Sequence, residues 1–376
     1  MARLKSPSTE RRIRSGTQRG RIATEGCPVK IHPLMLLLIP VATLPLLAPL
    51  ALIYQSLYGN HVEHRFVRFD LSSDGREIVF SSADGDLYLL DPVTRQWNRL
   101  TETDRIETSP AFSPDGNLIA FAGSDDDGQT FHLFLLDVAS RKVVPLTDDD
   151  DANDFFPRFH PQGNEIVFAR AYTYRSYSLG GMTWDDYDVA TVNIDGSNLR
   201  RLSNEKYRIV GPLAVRSDGT IEFAATVKHR DNLSEELLTL PPDSPPQPLV
   251  TQTTPHDRSG EIRFRDPAVS LDESGFAYVA DRTDAWHFAI CVEQEGAAAK
   301  AYEIADSHIQ TSPVFAPDNQ SIYFLRALTA NYQSRPIFSL WKLSLADGQL
   351  QEIASDELLT SPENWQPDAA NASERP

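Results

Sequence analysis

An all-β chain folded as a six-bladed β-propeller of four-stranded antiparallel blades is what the sequence predicts, on three observations. A tight-turn signature recurs: LSSDG at 71–75, FSPDG at 112–116, FHPQG at 159–163, VRSDG at 215–219, SLDESG at 270–275 and FAPDN at 315–319. Pro pre-sets φ, Asp and Asn bond the nearby backbone and Gly accepts φ > 0, so each marks the turn after a unit's first strand. Successive turns stand 41, 47, 56, 55 and 45 residues apart, a loose period in which loops vary while the order of strands is kept. Between the turns run short segments rich in β-branched and aromatic residues, such as EIVF with DLYLL, LIAFAG with FHLFLLDV, and SIYFL with SLWKLSL. Segments of this kind bounded by turn residues are strands, and four per unit make one blade.

The blades are expected at about 64–105, 106–152, 153–208, 209–262, 263–308 and 309–358. A closing segment follows at 359–368, then a flexible C-terminus at 369–376. The closing segment reads TSPENWQPD from 360, which starts like a further repeat and suits a clasp against the first blade.

Ahead of the blades lie a basic tail (1–31), an apolar segment (32–57) and a connector (58–63). No charged residue occurs from Pro33 to Asn60, and Leu34–Tyr54 supplies 21 mostly apolar positions, enough to cross a hydrocarbon core as one helix. Pro40, Pro45 and Pro49 kink such a helix, and a cleaved signal peptide is the other reading. The apolar run exceeds a signal-peptide core and no Ala-x-Ala follows it, which favours a retained single-pass anchor. Eight Lys or Arg against two Glu give residues 1–30 a charge of +6, which places that end in the cytoplasm and the propeller outside it, periplasmic or extracellular. The rest of the chain carries −24 within a total of −18, which opposes any nucleic-acid role. Cys27 and Cys291 fall on opposite sides of the membrane in this topology, so no disulfide joins them.

The unit SPAFSPDG…IAF…LFLLDV…LT, best formed at 109–147, together with TSPENWQPD, resembles the Asp-containing repeat of TolB-like β-propellers, a branch of the WD-like repeat superfamily. The resemblance runs over about 64–368; the fourth and fifth units depart from it, with VGP and RDP in place of Ser-Pro. It implies the fold firmly, and partner binding in a cell-envelope assembly as the role, because the repeat occurs in binding proteins and in non-catalytic parts of enzymes alike.

The third unit holds the longest insertion, RAYTYRSYSLGGMTWDDYD at 170–188, on the face that also carries the links between blades. Its Tyr172, Tyr174, Tyr177, Trp184 and Tyr187 are candidate partner-binding residues, because Tyr and Trp give large contact area at low entropy cost. The opposing reading packs these aromatics back on their own blade. The same face is expected to receive Asp125–Asp127, the blade link Asp148, Asp149, Asp150 and Asp151, then Asp154, Asp185, Asp186 and Asp188. Carboxylates at this density suit Ca²⁺, yet no run has the D-x-[DN]-x-[DN]-G spacing, so solvated acidic loops and no cofactor are expected. The partner expected is a membrane-embedded or membrane-adjacent protein, with basic groups as the complement of these acids, bound by a monomeric propeller.

Enzymatic readings fare less well. The chain lacks the G-x-S-x-G elbow of serine hydrolases, and His132, His160, His256, His287 and His308 show no metal-ligand spacing. A metal-dependent lyase or hydrolase, or a small-ligand or carbohydrate-binding protein using the central channel, remains the alternative.

Overall fold

The computed structural model describes residues 67–125, 128–176, 182–228, 233–249, 262–282, 287–294, 297, 299–304, 309–328 and 337–364. The tail, the apolar segment, the connector and the C-terminus at 369–376 lie outside the described residues. Among the described residues no helix is long and apolar enough to cross a membrane.

Six four-stranded antiparallel sheets follow one another along the chain. Blade 1 is β1 (Phe69–Leu71), β2 (Ile78–Ser81), β3 (Leu87–Leu90) and β4 (Trp97–Arg99). Blade 2 is β5 (Ile106–Phe112), β6 (Leu118–Ser124), β7 (His132–Asp137) and β8 (Val143–Pro145). Blade 3 is β9 (Asn153–Phe159), β10 (Glu165–Ser176), β11 (Met182–Asn193) and β12 (Arg200–Arg201). Blade 4 is β13 (Ile209–Val215), β14 (Ile221–Lys228), β15 (Leu233–Leu240) and β16 (Gln247–Pro248). Blade 5 is β17 (Ile262–Val269), β18 (Gly275–Arg282), β19 (His287–Gln294) and β20 (Lys300–Glu303). Blade 6 is β21 (Ile309–Phe315), β22 (Ser321–Leu328), β23 (Ile337–Ser344) and β24 (Leu350–Ala354).

Each part of the repeat has a physical task. In the turns the Ser hydroxyl donates to the Asp carboxylate, Ser72 to Asp74 at 2.7 Å and Ser113 to Asp115 at 2.6 Å, while Gly75 and Gly116 take φ of 73° and 74°. The Ser-Pro that opens a unit is a β-bulge. Ser109, Phe156, Asp266 and Ser312 hold φ between 51° and 56°, each just before Pro, and the register slips there in the first strand. The Leu-Thr that ends a unit pins its outer strand: the Leu87 N–H donates to Thr101 Oγ1 at 2.9 Å, Leu133 N–H to Thr147 Oγ1 at 2.8 Å and Val189 N–H to Ser203 Oγ at 3.0 Å.

Hydrophobic burial is divided among the seams between neighbouring blades. One cluster joins blades 1 and 2 through Val79, Leu87, Phe112 and Phe121, and another joins blades 2 and 3 through Phe131, Leu133, Phe155 and Phe168. Cys291 is buried in the cluster between blades 4 and 5, with Leu237, Phe276 and Tyr278. Among the described residues no strand is exchanged to close the ring. The helix α1 (Asp356–Thr360) instead sets Leu358 and Leu359, both 0% exposed, into the cluster shared by blades 6 and 1. The following turn adds an ion pair from Glu363 to Arg99 of β4 at 2.7 Å.

Candidate functional site

The described part of the third unit's insertion, 170–176 and 182–188, is regular structure. β10 and β11 pair without a break in direction from Glu165↔Asn193 out to Ser176↔Met182, whereas β9 stops pairing with β10 at Asn153↔Ala171. The excursion is therefore the blade's middle hairpin prolonged past its inner neighbour, and alternation of side chains puts Tyr172, Tyr174 and Trp184 on one side and Tyr187 on the other.

Those sides differ. Tyr174 and Trp184 are register partners with ring centroids 5.0 Å apart, and Tyr174 is 44% exposed. The Trp184 Nε1–H donates to the Gln129 carbonyl at 2.8 Å, tying the hairpin to blade 2. Tyr172 is half-buried with its ring 4.3 Å from the Arg201 guanidinium, and burial raises its phenol pKa. Tyr187 faces inward against the cores on both sides of blade 3, and its backbone exchanges hydrogen bonds with Tyr207 at 2.9 and 2.8 Å. Tyr177 lies outside the described residues. Of the sequence candidates, Tyr174 is exposed and lies against a half-buried Trp184, while Tyr172 and Tyr187 pack on their own blade.

The acids divide in the same way. Asp148, Asp149, Asp150 and Asp151 are exposed on the link from blade 2 to blade 3. Asp149 anchors this run: its Oδ2 is 2.5 Å from Nη2 of Arg170, which is 2% exposed, and its Oδ1 accepts the Asp151 N–H at 3.1 Å. His132 Nε2 stands 3.6 Å from Asp150. Asp185, Asp186 and Asp188, expected in solvated loops, are buried instead. Asp188 pairs with Arg201 and accepts from the Ser203 hydroxyl at 2.7 Å and the Glu205 N–H at 2.8 Å. Asp185 lies 3.6 Å from Arg208, and Asp186 accepts from the Thr173 hydroxyl at 3.0 Å. The Tyr-Asp alternation of β11 sets these carboxylates at positions where neighbouring strands supply the partners a buried charge requires.

Two more carboxyls sit in the seams on either side of blade 2. Glu107 of β5 accepts from the hydroxyls of Thr101 and Thr103, and burial pushes its pKa up to about 7. Asp154 of β9 is 0% exposed; burial raises its pKa to about 7 even though the Arg170 Nη1, 3.5 Å away, opposes the shift.

At the axis the six first strands meet around a cavity of about 20 Å³. Its lining includes Arg68, Phe156, Arg158, Asp266 and Ser312. Among the described residues no group of three or more His, Cys, Asp or Glu is placed to hold a metal ion. His160 accepts the Gln162 N–H at 3.2 Å within its turn. The sequence reading missed Arg170 and the axial residues. A usable signal existed for Arg158, because the residue after the bulge proline is Ala111, Leu213, Ala268 or Val314 in the other blades that have one.

No family model matches the chain. Over 79 residues, 20% of this chain and 18% of the relative, it is 35% identical to the Tol-Pal system protein TolB of Francisella tularensis subsp. holarctica (strain OSU18). The match therefore spans less than a fifth of that relative's length. The crystal structure of TolB from Acinetobacter baumannii superposes with a TM-score of 0.51 at 17% identity, over 79% of this chain and 65% of that one. An oligogalacturonate lyase from Vibrio parahaemolyticus does so with 0.52 at 14% identity, over 76% of each chain. At such identities the structural likeness is one of fold, which carries different activities on different chains.

Proposed function

From the premise that this chain carries a TolB-like six-bladed β-propeller, we propose that it is a non-catalytic protein-interaction module of the cell envelope. Residues 34–54 anchor it in the membrane as a single span, with the N-terminus cytoplasmic and the propeller outside the cytoplasm, as the charge asymmetry directs. The observation that carries the reading is the Tyr174–Trp184 pair, exposed at Tyr174, on the blade that the exposed Asp148–Asp151 link enters. Aromatic faces beside carboxylates suit Lys and Arg side chains, which gain from ring quadrupole and charge together. A membrane-embedded or membrane-adjacent protein with a basic segment is the partner of that chemistry. The resemblance to a Tol-Pal system protein supports an envelope setting without naming the partner.

The test is crosslinking in the native membrane followed by mass spectrometry, comparing the full-length chain with the double variant Tyr174→Ser, Trp184→Ser. Deleting 173–187 is the wrong comparison, since it removes Asp185 and Tyr187, which the blade buries or packs upon. A membrane protein captured by the parent and lost from the folded variant supports the reading; equal capture by both overturns the placement of the site.

A second reading, an enzymatic or small-ligand role for the channel, has in its favour the axial cavity and the fold shared with an oligogalacturonate lyase. Turnover of oligogalacturonate by the purified chain would establish it in place of the first.

A further inference from the structure

Arg68, Arg158 and Asp266 line the axial cavity, two cations to one carboxylate, and no ion pair joins them among the described residues. Arg158, on β9 just past the bulge, lines the axial cavity and is half-buried. Its backbone belongs to the β9–β10 ladder, but no hydrogen bond and no ion pair engages its guanidinium among the described residues, although an arginine presents five donors in a planar fork. Arg68 reaches the same cavity from blade 1. It donates to the hydroxyls of Thr311 at 3.2 Å and Ser312 at 2.9 Å and lies 5.5 Å from the Phe156 ring, all uncharged partners.

The neighbouring carboxylates are committed elsewhere. Asp266 accepts the Ser312 N–H at 2.9 Å and the Thr311 hydroxyl. Asp70 accepts the Phe112 N–H at 2.9 Å. The field of Arg158 reaches Asp70 and lowers its pKa, but burial, the larger cause, leaves it raised. Pro110, Pro212, Pro267 and Pro313 complete the wall, so much of the lining offers no competing N–H. In a chain of net charge −18, a walled axis lined by two cations and one carboxylate makes a local focus for an anion.

We propose that the axial cavity is a carboxylate-binding site, with Arg158 as the bidentate fork and Arg68 as the second cation. The guanidinium fork matches two carboxylate oxygens, which a Lys or a lone hydroxyl does not. A volume of about 20 Å³ takes a group the size of one or two waters, which suits a planar carboxylate better than a tetrahedral phosphate. The carboxylate belongs either to a free small acid or to a peptide crossing the channel mouth by its C-terminus or an acidic side chain.

Titration calorimetry of the full-length protein decides the matter, using acetate, N-acetyl-Ala-Ala as the free acid, the same peptide as its amide, and chloride as a control. Saturable binding of the free acids, with none by the amide or chloride, is expected. Arg158→Gln should weaken it about tenfold or more, the loss of a charge-assisted pair. Asp70→Asn keeps an acceptor for the Phe112 N–H and removes the opposing charge, so it should tighten binding several-fold; it serves alone if Arg158→Gln does not fold. Binding of acetate and peptide alike points to a free acid as the source, and binding of the peptide acid only points to a peptide. Absence of saturable binding, equal binding of amide or chloride, or affinities unchanged in the variants would overturn the proposal.

Discussion

Two acidic runs flank the hairpin of blade 3 and have opposite fates. Asp148–Asp151 stands in water on the link, held at one point by Arg170, whereas Asp185, Asp186 and Asp188 are buried in the hairpin that follows. Both runs look alike in sequence. What separates them is the partner each neighbour supplies: Arg201, Ser203 and Arg208 come from strands and links already packed beside β11, while the earlier link stays exposed. A carboxylate is buried where several donors converge, and stays solvated where one does. Only the solvated run is free to meet a partner.

Breaking the buried run should have the largest effect. Asp188→Ala leaves Arg201 and several backbone donors without their acceptor and should cost ~3–5 kcal/mol in denaturant unfolding. Arg170→Met strips Asp154 of its cation and should cost ~2–4 kcal/mol at pH 8. It should cost less at pH 5, where Asp154 accepts a proton and no bare charge remains. A smaller effect of opposite sign is expected from Asp154→Asn. The folded pKa of Asp154 is raised from 3.8 to about 7, so its contribution to stability is present at low pH and is lost as pH rises through 7. The melting temperature of the Asn variant relative to wild type should therefore climb by about 2–4 °C between pH 5 and pH 8. The smallest change belongs to the exposed run. Replacing Asp148, Asp150 and Asp151 by Asn should leave stability within ~0.5 kcal/mol while reducing capture of a basic partner, with a stronger reduction at low salt. A large loss of stability there would erase the distinction between the runs.

The ring was legible because its punctuation is local: Ser-Asp-Gly turns, Pro bulges and the Leu-Thr closure each act within a few residues, so a linear pattern reveals them. The exposed Asp148–Asp151 and the Tyr174–Trp184 pair were legible as types, and Tyr172 and Tyr187 were drawn into the same candidate set. Their inward packing depends on how far β10 and β11 extend and on Arg201 and Tyr207, contributed from further along the chain. The axial cluster was hidden for the same reason, since Arg68 and Ser312 meet across 244 residues of sequence. The clasp against the first blade was legible in the closing segment, but not that a helix begun at Asp356, ahead of that segment, makes it through Leu358 and Leu359.

The most direct test of an interaction module is capture from the native membrane by the wild-type chain and by Tyr174→Ser, Trp184→Ser, with both melting profiles recorded. A specific membrane protein bearing a basic segment, held by the wild type and released by a variant of unchanged melting temperature, is the expected result. The same protein held equally by both would contradict the assignment of this hairpin as the docking site.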